Sequence, residues 1–285
     1  MGTAGPVGSI VVPAHNEEAL LGRVLSRLLE HSGPDEFDIV VVANGCTDGT
    51  EAVAAGFAPR VRVVSTEIPS KRAALRLGDE AARGFPRLYV DGDVELGTAD
   101  ARRLCAAVAT PGVLAAAPER AFDMAGRRWP VRWYYAVWTR LPEVRAGLFG
   151  RGVLAVSEAG HRRIAALPPV MADDLAVSLA FAPAERVVLA DARALIRPPR
   201  TWADLIRRRV RVETGITQVE QADVVPGASA RTSPRDLLRL VRAEPRLALR
   251  LPVFLAAAVL ARLRARAAVR SGDFTTWLRD DSSRR

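Results

Sequence analysis

Cysteine, histidine and aromatic residues are scarce in this chain of 285 residues. The two cysteines, Cys46 and Cys105, form neither a metal-ligand spacing nor a disulfide framework, which predicts free thiols in a reducing compartment. The first residues lack the basic and apolar regions of a secretory leader. The uncharged run Leu104 to Pro118 is broken by Pro111-Gly112 and is shorter than the roughly 20 residues that cross a bilayer. We therefore expect neither secretion nor a membrane span, and predict a cytoplasmic protein.

Lysine is also nearly absent, because only one of the 41 basic residues, Lys71, is a lysine. The arginine bias is typical of a GC-rich coding sequence, and it makes Lys71 a compositional exception. Residues 193–285 hold 20 arginines and 9 acids, whereas residues 1–192 hold 21 basic and 23 acidic residues. The net charge of +9 therefore comes from the last third. A basic region of this kind suits an anionic partner such as a phosphorylated substrate, an anionic lipid or a nucleic acid.

Apolar residues make up 49% of the chain, enough for one large domain or two closely joined domains. Apolar runs alternate with amphipathic helical patterns in the first half, which predicts an open, mostly parallel α/β sheet flanked by helices. The predicted strands are Ser9–Pro13, Phe37–Val42, Val61–Val64, Arg87–Val90 and Val113–Ala117. The predicted helices are Glu17–Glu30, Ser70–Arg83 and Thr98–Val108.

The second half begins with a tryptophan and tyrosine cluster between Trp129 and Trp138, which predicts packing other than that of the sheet. After it we predict further strands and helices, a linker and a basic helical tail interrupted by Pro245 and Pro252. These elements are strands Gly152–Val156, Arg186–Leu189 and Ala192–Ile196, helices Ser157–Ala166 and from Thr201, linker Gln221–Arg231 and tail Pro234–Arg270.

Polar residues follow three of the predicted strands directly. His15-Asn16-Glu17-Glu18 follows the first strand, residues 44–50 follow the second, and Asp91-Gly92-Asp93 follows the fourth. Open parallel sheets bind ligands beyond the carboxyl ends of their strands, because loops and helix N-termini converge there. The sequence therefore predicts a site at this edge.

Each cluster also has a purely structural interpretation. Asp-Gly is a common turn pair, yet two carboxylates separated by glycine at a sheet edge also suit Mg²⁺ or Mn²⁺ bridging substrate phosphates. In Asn44–Thr50, Thr47 or Asp48 is expected to cap a helix, a role compatible with nucleotide contacts through the backbone at Gly45 and Gly49. Lys71 is either a solvated amine or a cation beside a diphosphate.

The ordered set of motifs resembles the family 2 glycosyltransferases of the GT-A fold. The resemblance covers about residues 8–215 and rests on order and spacing. The matching residues are Pro13, Ala14, His15, Asn16, Glu17, Asn44 to Thr50, Lys71, Asp91, Gly92, Asp93, Asp173, Asp174 and Arg208 to Arg211. It implies an inverting transferase that uses a nucleoside-diphosphate sugar and a divalent metal, Mn²⁺ or Mg²⁺. It also implies a catalytic domain at 1–220, with nucleotide and acceptor halves at about 1–120 and 121–220, before the tail at 221–285.

The resemblance assigns roles to individual residues. Asp93 and Asp91 are expected to hold the metal, with Asp91 also facing the nucleotide, and Asp174 to act as general base. Asp173, the first-strand loop, Asn44, Lys71 and Gly92 are expected to contact the nucleotide sugar. Arg208 and Arg211 are expected to neutralise the departing diphosphate, whereas Asp173-Asp174 and the neighbouring arginines have the alternative roles of a helix cap and a solvated face.

Two departures from the family pattern limit these expectations. Val212 stands where chain-polymerising members carry tryptophan after arginine, which favours transfer of a single sugar. Ala43-Asn44 stands where many relatives carry two aspartates, so the nucleotide base stays open. We expect Gly147–Gly152 to be a flexible loop bordering the sugar, and the tryptophans to be core residues, with Trp133 and Trp138 as minor candidates for acceptor contacts.

The arginine-rich tail has two interpretations. Its arginines recur at intervals of three or four residues opposite apolar side chains, which is typical of helices that lie on anionic membranes. Alternatively, it is a solvated cover on the catalytic domain. Membrane docking would suit a lipid-linked acceptor on the cytoplasmic face.

Two other functions are compatible with parts of the sequence. A sugar-phosphate nucleotidyltransferase uses a related sheet, but residues 15–19 lack its glycine-rich basic loop. A nucleic-acid-binding protein would use the basic third, but no known nucleic-acid motif occurs, and we expect no nucleic-acid partner.

Overall fold

The computed structural model describes residues 5–168, 173–221 and 232–270. Its central feature is an eight-stranded sheet with the order β3-β2-β1-β4-β7-β6-β8-β5. The strands are β1 Gly8–Ala14, β2 Phe37–Asn44, β3 Val61–Thr66, β4 Arg87–Val90, β5 Glu95–Leu96, β6 Ala115–Phe122, β7 Val153–Val156 and β8 Arg186–Ile196.

The first four major strands are parallel, as the alternation of apolar runs and helices predicts. Strand β1 lies between β2 and β4, with Ile10 paired to Ile39 and to Leu88. All residues of β1 and β2 are buried, as expected for a sheet covered by helices on both faces. The carboxyl ends of β1, β2 and β4 therefore lie at one edge.

Helices flank this sheet, and the two longest lie in the second half of the chain. Their bounds are α1 Glu18–Leu29, α2 Thr50–Ala55, α3 Lys71–Ala81, α4 Thr98–Ala109, α5 Trp129–Trp138, α6 Pro142–Ala146, α7 Glu158–Ala165, α8 Asp173–Leu179, α9 Trp202–Gln221, α10 Pro234–Ala243 and α11 Leu251–Arg270. Helix α3 packs so closely that a Cβ at Gly78 would lie 2.3 Å from Val11 Cγ1.

A buried carboxylate fastens the amino end of the sheet. Asp38 accepts hydrogen bonds from Ser9 Oγ, from Arg62 Nη2 at 2.6 Å and from the amide of Arg83 at 2.8 Å. Burial by itself would raise the pKa of Asp38, but these three donors hold that pKa below its ordinary value. The ionised side chain therefore has a structural role and lies at the end of the sheet opposite to the carboxyl edge.

The second half of the sheet is mixed and differs from two predictions. The predicted strand Val113–Ala117 is β6, which begins two residues later and runs on to Phe122. The two strands predicted on either side of Asp191 form the single strand β8, because a bulge opposite Pro118 and Glu119 absorbs the polar break. Strand β7 pairs antiparallel with both β4 and β6 and joins the halves.

The C-terminal helices belong to a second hydrophobic core. Helix α11 packs against α5 and α9, and the ring of Phe254 stacks on Tyr134 at a centroid distance of 5.4 Å. Pro245 interrupts the tail as predicted, by starting a 3₁₀ turn. Pro252 does not interrupt it, because it is the second residue of α11, where its missing N–H costs no helical hydrogen bond. The predicted linker falls outside the described residues, except for Gln221, which ends α9.

Among the described residues, no helix has the length and apolar character to cross a bilayer.

Candidate active site

The loops after β1 and β2 are joined by hydrogen bonds at the carboxyl edge of the sheet. Asn16 has a left-handed backbone, with φ of 52°, which turns the chain out of β1 toward α1. Its Oδ1 accepts a hydrogen bond from the amide of Thr47 at 2.8 Å. Gly45 is also left-handed, and a Cβ there would lie 2.8 Å from Pro69 Cβ, so only glycine lets the loop pass. The two loops therefore form one rigid surface.

Asp48 caps two helices, which confirms one of the two expected caps. Its Oδ2 accepts from the amide of Glu18 at 3.2 Å, and its Oδ1 accepts from the amide of Thr50 at 3.1 Å. Burial opposes ionisation, but these donors hold the pKa of Asp48 below its ordinary value. Glu18 donates its amide here and accepts from the amide of Gly49 at 3.1 Å. The N-termini of α1 and α2 are thereby locked side by side.

Several predicted nucleotide residues have contacts within the protein. Asn44 is only 3% exposed, and its amide donates to the carbonyl of Ala14 at 2.8 Å. His15 Nδ1 lies 2.6 Å from the carbonyl of Asn44. Ala14 is fully buried, as is Pro13, whereas His15 and Asn16 are half-buried at the surface. Asn44 thus connects β2 to β1. Contacts of these residues with a nucleotide sugar stay predictions.

The triplet Asp91-Gly92-Asp93 packs against the end of β1. The amide of Asp91 donates to the carbonyl of Gly152 at 2.8 Å, which continues the pairing of β4 with β7. A Cβ at Gly92 would lie 3.2 Å from Glu17 Cγ and 3.3 Å from the carbonyl oxygen of Pro13. Glycine therefore allows the triplet to approach the first loop closely, while Asp91 and Asp93 stay partly exposed.

Lys71 pairs with the triplet. It is the first residue of α3, which Ser70 caps by accepting a hydrogen bond from the amide of Ala73. A cation at a helix N-terminus is unfavourable unless an anion compensates it. Here Lys71 Nζ lies 2.7 Å from Asp91 Oδ1, and both side chains are about one-third exposed. Lys71 is therefore an ion-paired residue beside Asp91, and its expected place next to a diphosphate stays a prediction.

Asp174 lies in the first turn of α8. Its Oδ2 accepts from the amide of Gly150 at 2.9 Å, and its Oδ1 accepts from the amide of Leu175 at 2.8 Å. The side chain is otherwise exposed. Asp174 is therefore an acid in the first helical turn, where the helix dipole favours it, and its carboxylate is presented at the surface. Asp173 begins α8, and its side chain lies outside the described part of the chain.

Arg211 brings the predicted catalytic groups together. It is half-buried in α9, and its burial lowers the pKa of its guanidinium, as does the nearby charge of Arg208. Three carboxylates oppose that shift, and they are Asp174, Asp91 and Asp93. One cation therefore lies within electrostatic range of the proposed base and of both metal candidates.

The other arginines of α9 have different environments. Arg207 is exposed and pairs with Asp204, in agreement with its expected solvated face. Arg209 differs, because it is 18% exposed, lies 3.5 Å from Glu213 and sits near the Tyr134 ring. Val212 packs toward Leu175 and Ile216 in a small apolar cluster, where a tryptophan would need more room.

Two arginines that brace the loop contacting Asp174 were not predicted, of which Arg120 is half-buried and Arg151 is buried. Arg120 in β6 donates to the carbonyls of Val144, Phe149 and Gly150. Arg151 is fully buried and donates to the carbonyls of Pro118, Gly147 and Arg145, and more weakly to that of Val144. The loop from Val144 to Gly152 is therefore braced by both guanidinium groups. Arginine is so common in this chain that residue type alone did not mark them.

The aromatic cluster is mostly structural, as expected. Tyr134 and Tyr135 are buried in α5. Trp138 packs beneath Arg120, with the guanidinium 5.0 Å from the ring centroid. Trp129 is 60% exposed and meets Trp133 edge to face.

The donor set suits a hard divalent ion shared with a ligand. Among the residues that the structure describes, no three acidic, histidine or cysteine side chains converge on a metal position. Asp91 and Asp93, however, offer carboxylate oxygens at an exposed strand end, and Mg²⁺ characteristically binds one or two carboxylates plus substrate phosphates and waters. The chemistry of the residues present therefore fits such an ion.

The comparisons with known proteins agree with this geometry. The chain is 36% identical over 98 residues to a dolichyl-phosphate beta-glucosyltransferase of Drosophila melanogaster, a match that covers 30% of each protein. It therefore spans less than a third of that relative's length.

Two solved structures share the fold. A mannosyltransferase of Pyrobaculum calidifontis, solved with GDP-Man and Mn²⁺, superposes with a TM-score of 0.62 at 23% identity, over 95% of this chain and 80% of that one. A glucosyl-3-phosphoglycerate synthase of Mycobacterium tuberculosis, solved with Mn²⁺, UDP and glucosyl-3-phosphoglycerate, has a TM-score of 0.57 at 19% identity, over 78% and 82%. The expected GT-A fold is confirmed. Because residues 9–161 also match the family described as Glycosyl transferase family 2, more than half of the sequence carries its pattern, and the chain belongs to that family.

Proposed function

We propose that this chain transfers a single sugar, with inversion, from a nucleoside-diphosphate sugar to an acceptor hydroxyl or a lipid phosphate. The observation that carries the proposal is the position of Arg211, within electrostatic range of Asp91, Asp93 and Asp174. These side chains come from the loop after β4, from α8 and from α9, which are far apart in sequence. A donor diphosphate and an acceptor oxygen would meet between them.

The donor half is formed by the loops after β1, β2 and β4. The paired N-termini of α1 and α2 suit phosphate or ribose groups, because helix N-termini attract anions. Asp93 and Asp91 would hold Mn²⁺ or Mg²⁺, which would supply Lewis-acid stabilisation of the departing diphosphate when bound. Lys71 gives up part of its contact with Asp91 to the donor diphosphate. An open pocket of about 310 Å³ beside Ala43, Gly45 and Thr66 is a candidate position for the purine or pyrimidine base of the nucleotide.

The acceptor half contains the proposed base. Asp174 accepts the proton of an acceptor hydroxyl as its oxygen attacks the anomeric carbon; a phosphate acceptor is already deprotonated. The bond from that carbon to the donor diphosphate breaks, and the diphosphate leaves with the electron pair. Arg211 and Arg208 stabilise the charge that develops on the leaving group, with Arg211 desolvated enough for a strong interaction.

Transfer of one sugar per acceptor is supported by Val212. This residue packs against α8 instead of presenting an indole to a growing chain. The names of similar proteins include a dolichyl-phosphate glucosyltransferase and a glucosyl-3-phosphoglycerate synthase, which have a lipid phosphate and a small hydroxyl compound as acceptors. Either acceptor class is compatible with an exposed Asp174.

We also propose that α10 and α11 dock on an anionic membrane. The outer side of α11 exposes Leu255, Val259 and Leu263, which recur every four residues opposite its buried face. Residues 232–270 hold nine arginines and two acids, so this apolar stripe lies in a strongly cationic region. A helix that is apolar on both sides needs a second apolar partner, and the surrounding charge favours anionic lipid over another protein core.

The donor proposal is tested by thermal unfolding with a panel of nucleotide sugars, each with and without Mn²⁺. A ligand that binds the folded state raises the melting temperature, by an amount that grows with its concentration over Kd. Asp93→Asn should abolish the Mn²⁺-dependent part of the rise. Asp174→Asn should keep the rise and lose transfer.

The alternative functions predict other results in the same assay. Stabilisation by duplex DNA and by no nucleotide sugar would indicate a nucleic-acid-binding protein. Release of pyrophosphate from a nucleoside triphosphate and a sugar phosphate would indicate a nucleotidyltransferase. Full transfer activity of Asp174→Asn would show that another group is the base.

The membrane proposal is tested by cosedimentation with phosphatidylglycerol vesicles and with phosphatidylcholine vesicles. The full chain should sediment with the anionic vesicles only. Replacement of Leu255, Val259 and Leu263 by serine should remove this binding and leave donor-dependent stabilisation intact. Deletion of the tail is a poorer test, because Phe254 and its buried neighbours would leave the core. Equal binding by the triple variant would contradict the proposal.

A further inference from the structure

We propose that Arg120 is a positioning residue that aims and holds Asp174 through the peptide group joining Phe149 and Gly150. The proposal rests on the proposed role of Asp174 as the base. Arg120 lies in β6, and Asp174 lies in α8. The loop between α6 and β7 contacts both side chains and therefore connects them. No direct side-chain bond between the two residues is needed.

The guanidinium of Arg120 grips the loop at its end. Its Nη2 donates to the carbonyl of Phe149, its Nε donates to that of Gly150 at 3.1 Å, and its Nη1 donates to that of Val144 at 2.8 Å. The Trp138 and Phe149 rings lie against it, with centroids 5.0 Å and 5.9 Å from its central carbon. The side chain is therefore fixed by bonds along its edges and by rings beside it.

One of these bonds reaches the base through a single peptide group. The carbonyl of Phe149 and the N–H of Gly150 belong to the same peptide, and that N–H donates to Asp174 Oδ2 at 2.9 Å. A cation bonded to the carbonyl of a peptide polarises its N–H, because hydrogen bonds in a chain strengthen one another. Arg120 therefore strengthens and orients the bond that sets the direction of the Asp174 carboxylate.

The electrostatics of Arg120 agree with this connection. Burial lowers its pKa to about 9, helped by the charge of Arg151, while Glu119 and then Asp174 act in the opposite direction. Asp174 is thus close enough to interact with Arg120. The contacts above, and not this shift, define the role.

Arg151 provides a matched control within the same loop. It is fully buried and braces the loop through the carbonyls of Gly147, Arg145 and Pro118. None of these belongs to the peptide that contacts Asp174. Loss of general bracing is therefore separable from loss of the connection to the base.

The experiment is a double-mutant cycle in the full chain, with single-turnover transfer rates and donor affinities measured for Arg120→Gln, Asp174→Asn and their combination. We expect Arg120→Gln to lower the rate about 10- to 100-fold, the size of effect that misplacement of a reacting group by about 1 Å produces. Donor affinity should stay within about twofold, and Arg120→Lys should restore part of the rate. In the Asp174→Asn background, Arg120→Gln should lower the remaining transfer rate by less than about twofold, because its effect acts through Asp174.

Arg151→Gln is measured in the same two backgrounds. Any loss of rate that it causes should multiply with that of Asp174→Asn, as general damage to the loop would. If Arg120→Gln does not fold, the cycle is carried out with Arg120→Lys, which keeps the charge but cannot donate to three carbonyls with the same geometry.

Two results would overturn the inference while the proposed base stands. One is multiplication of the Arg120 and Asp174 losses, and the other is a wild-type rate for Arg120→Gln beside an inactive Asp174→Asn. An active Asp174→Asn would instead remove the proposed base itself, so the two failures are distinguishable.

Discussion

Replacement of Phe254 tests whether the C-terminal helix is part of the folded core. The Phe254 ring is 6% exposed, stacks on Tyr134 and packs with the buried residues of α5 and α9. Truncation of a buried phenylalanine to alanine removes its transfer free energy and leaves a cavity, which together cost about 3–5 kcal/mol. A domain of this size loses about 2–4 °C of melting temperature per kcal/mol, so Phe254→Ala should melt roughly 6–20 °C lower.

The neighbouring Leu255 is the matched control on the same helix. It is 41% exposed on the opposite side, so Leu255→Ala should change the free energy of unfolding by no more than about 0.5 kcal/mol. Urea titrations followed by circular dichroism and tryptophan fluorescence give both values from one protocol. A Phe254→Ala protein whose free energy of unfolding lies within about 1 kcal/mol of that of Leu255→Ala would refute the packing of α11 against α5 and α9, since the cavity alone should cost more.

Three further predictions concern the sheet and the donor half. Gly78→Ala should lower the free energy of unfolding by about 1–3 kcal/mol, because the added methyl group would overpack the contact with Val11. Gly22→Ala in α1 has room for the methyl group, so in the same urea titration it should raise the free energy of unfolding by about 0.4–1 kcal/mol through a lower conformational entropy of the unfolded chain. The pKa of Asp38 lies below its ordinary value, so its carboxylate stabilises the fold above a pH of about 3.8, and that contribution is lost as the pH falls further. The free energy of unfolding of Asp38→Asn should therefore depend less on pH in this acid range than that of the unsubstituted protein. Lys71→Met should weaken binding of the nucleotide sugar about tenfold by calorimetry, through loss of a cation beside Asp91 and the diphosphate, and an unchanged Kd would exclude that role.

The first half of the fold could be predicted closely from the sequence. The predicted strand Arg87–Val90 has the same first and last residues as β4, and the predicted helix Thr98–Val108 is one residue shorter than α4. Parallel strands buried on both faces leave continuous apolar runs, which contrast with the amphipathic helices between them. The polar residues that follow such runs could also be placed at one sheet edge, because parallel strands share a direction.

The second half was less predictable because its signals are weaker. Strand β8 contains an internal bulge at Asp191, and a charged residue inside a strand has the same appearance as a turn. Strand β5 has only two residues, Glu95 and Leu96, and its pairing with β8 depends on tertiary contacts. The register of β7 between two distant strands likewise has no local signature.

The candidate site divides in the same way. Asp91, Asp93 and Asp174 stand in motifs with recognisable spacing, so these three residues could be singled out from the sequence. Arg120 and Arg151 bind backbone carbonyls, a role that depends on where the loop runs and leaves no pattern in the residue types around them.

This manner of bracing separates the shape of the loop from the identity of its side chains. A carbonyl oxygen is present in every residue, so the grip of Arg120 and Arg151 persists when the exposed positions Arg145 and Ala146 are substituted. These exposed positions can consequently vary without any change in the contacts that support the loop. Substitutions at Arg145 and Ala146 therefore change the surface of the loop while they preserve the geometry at Gly150.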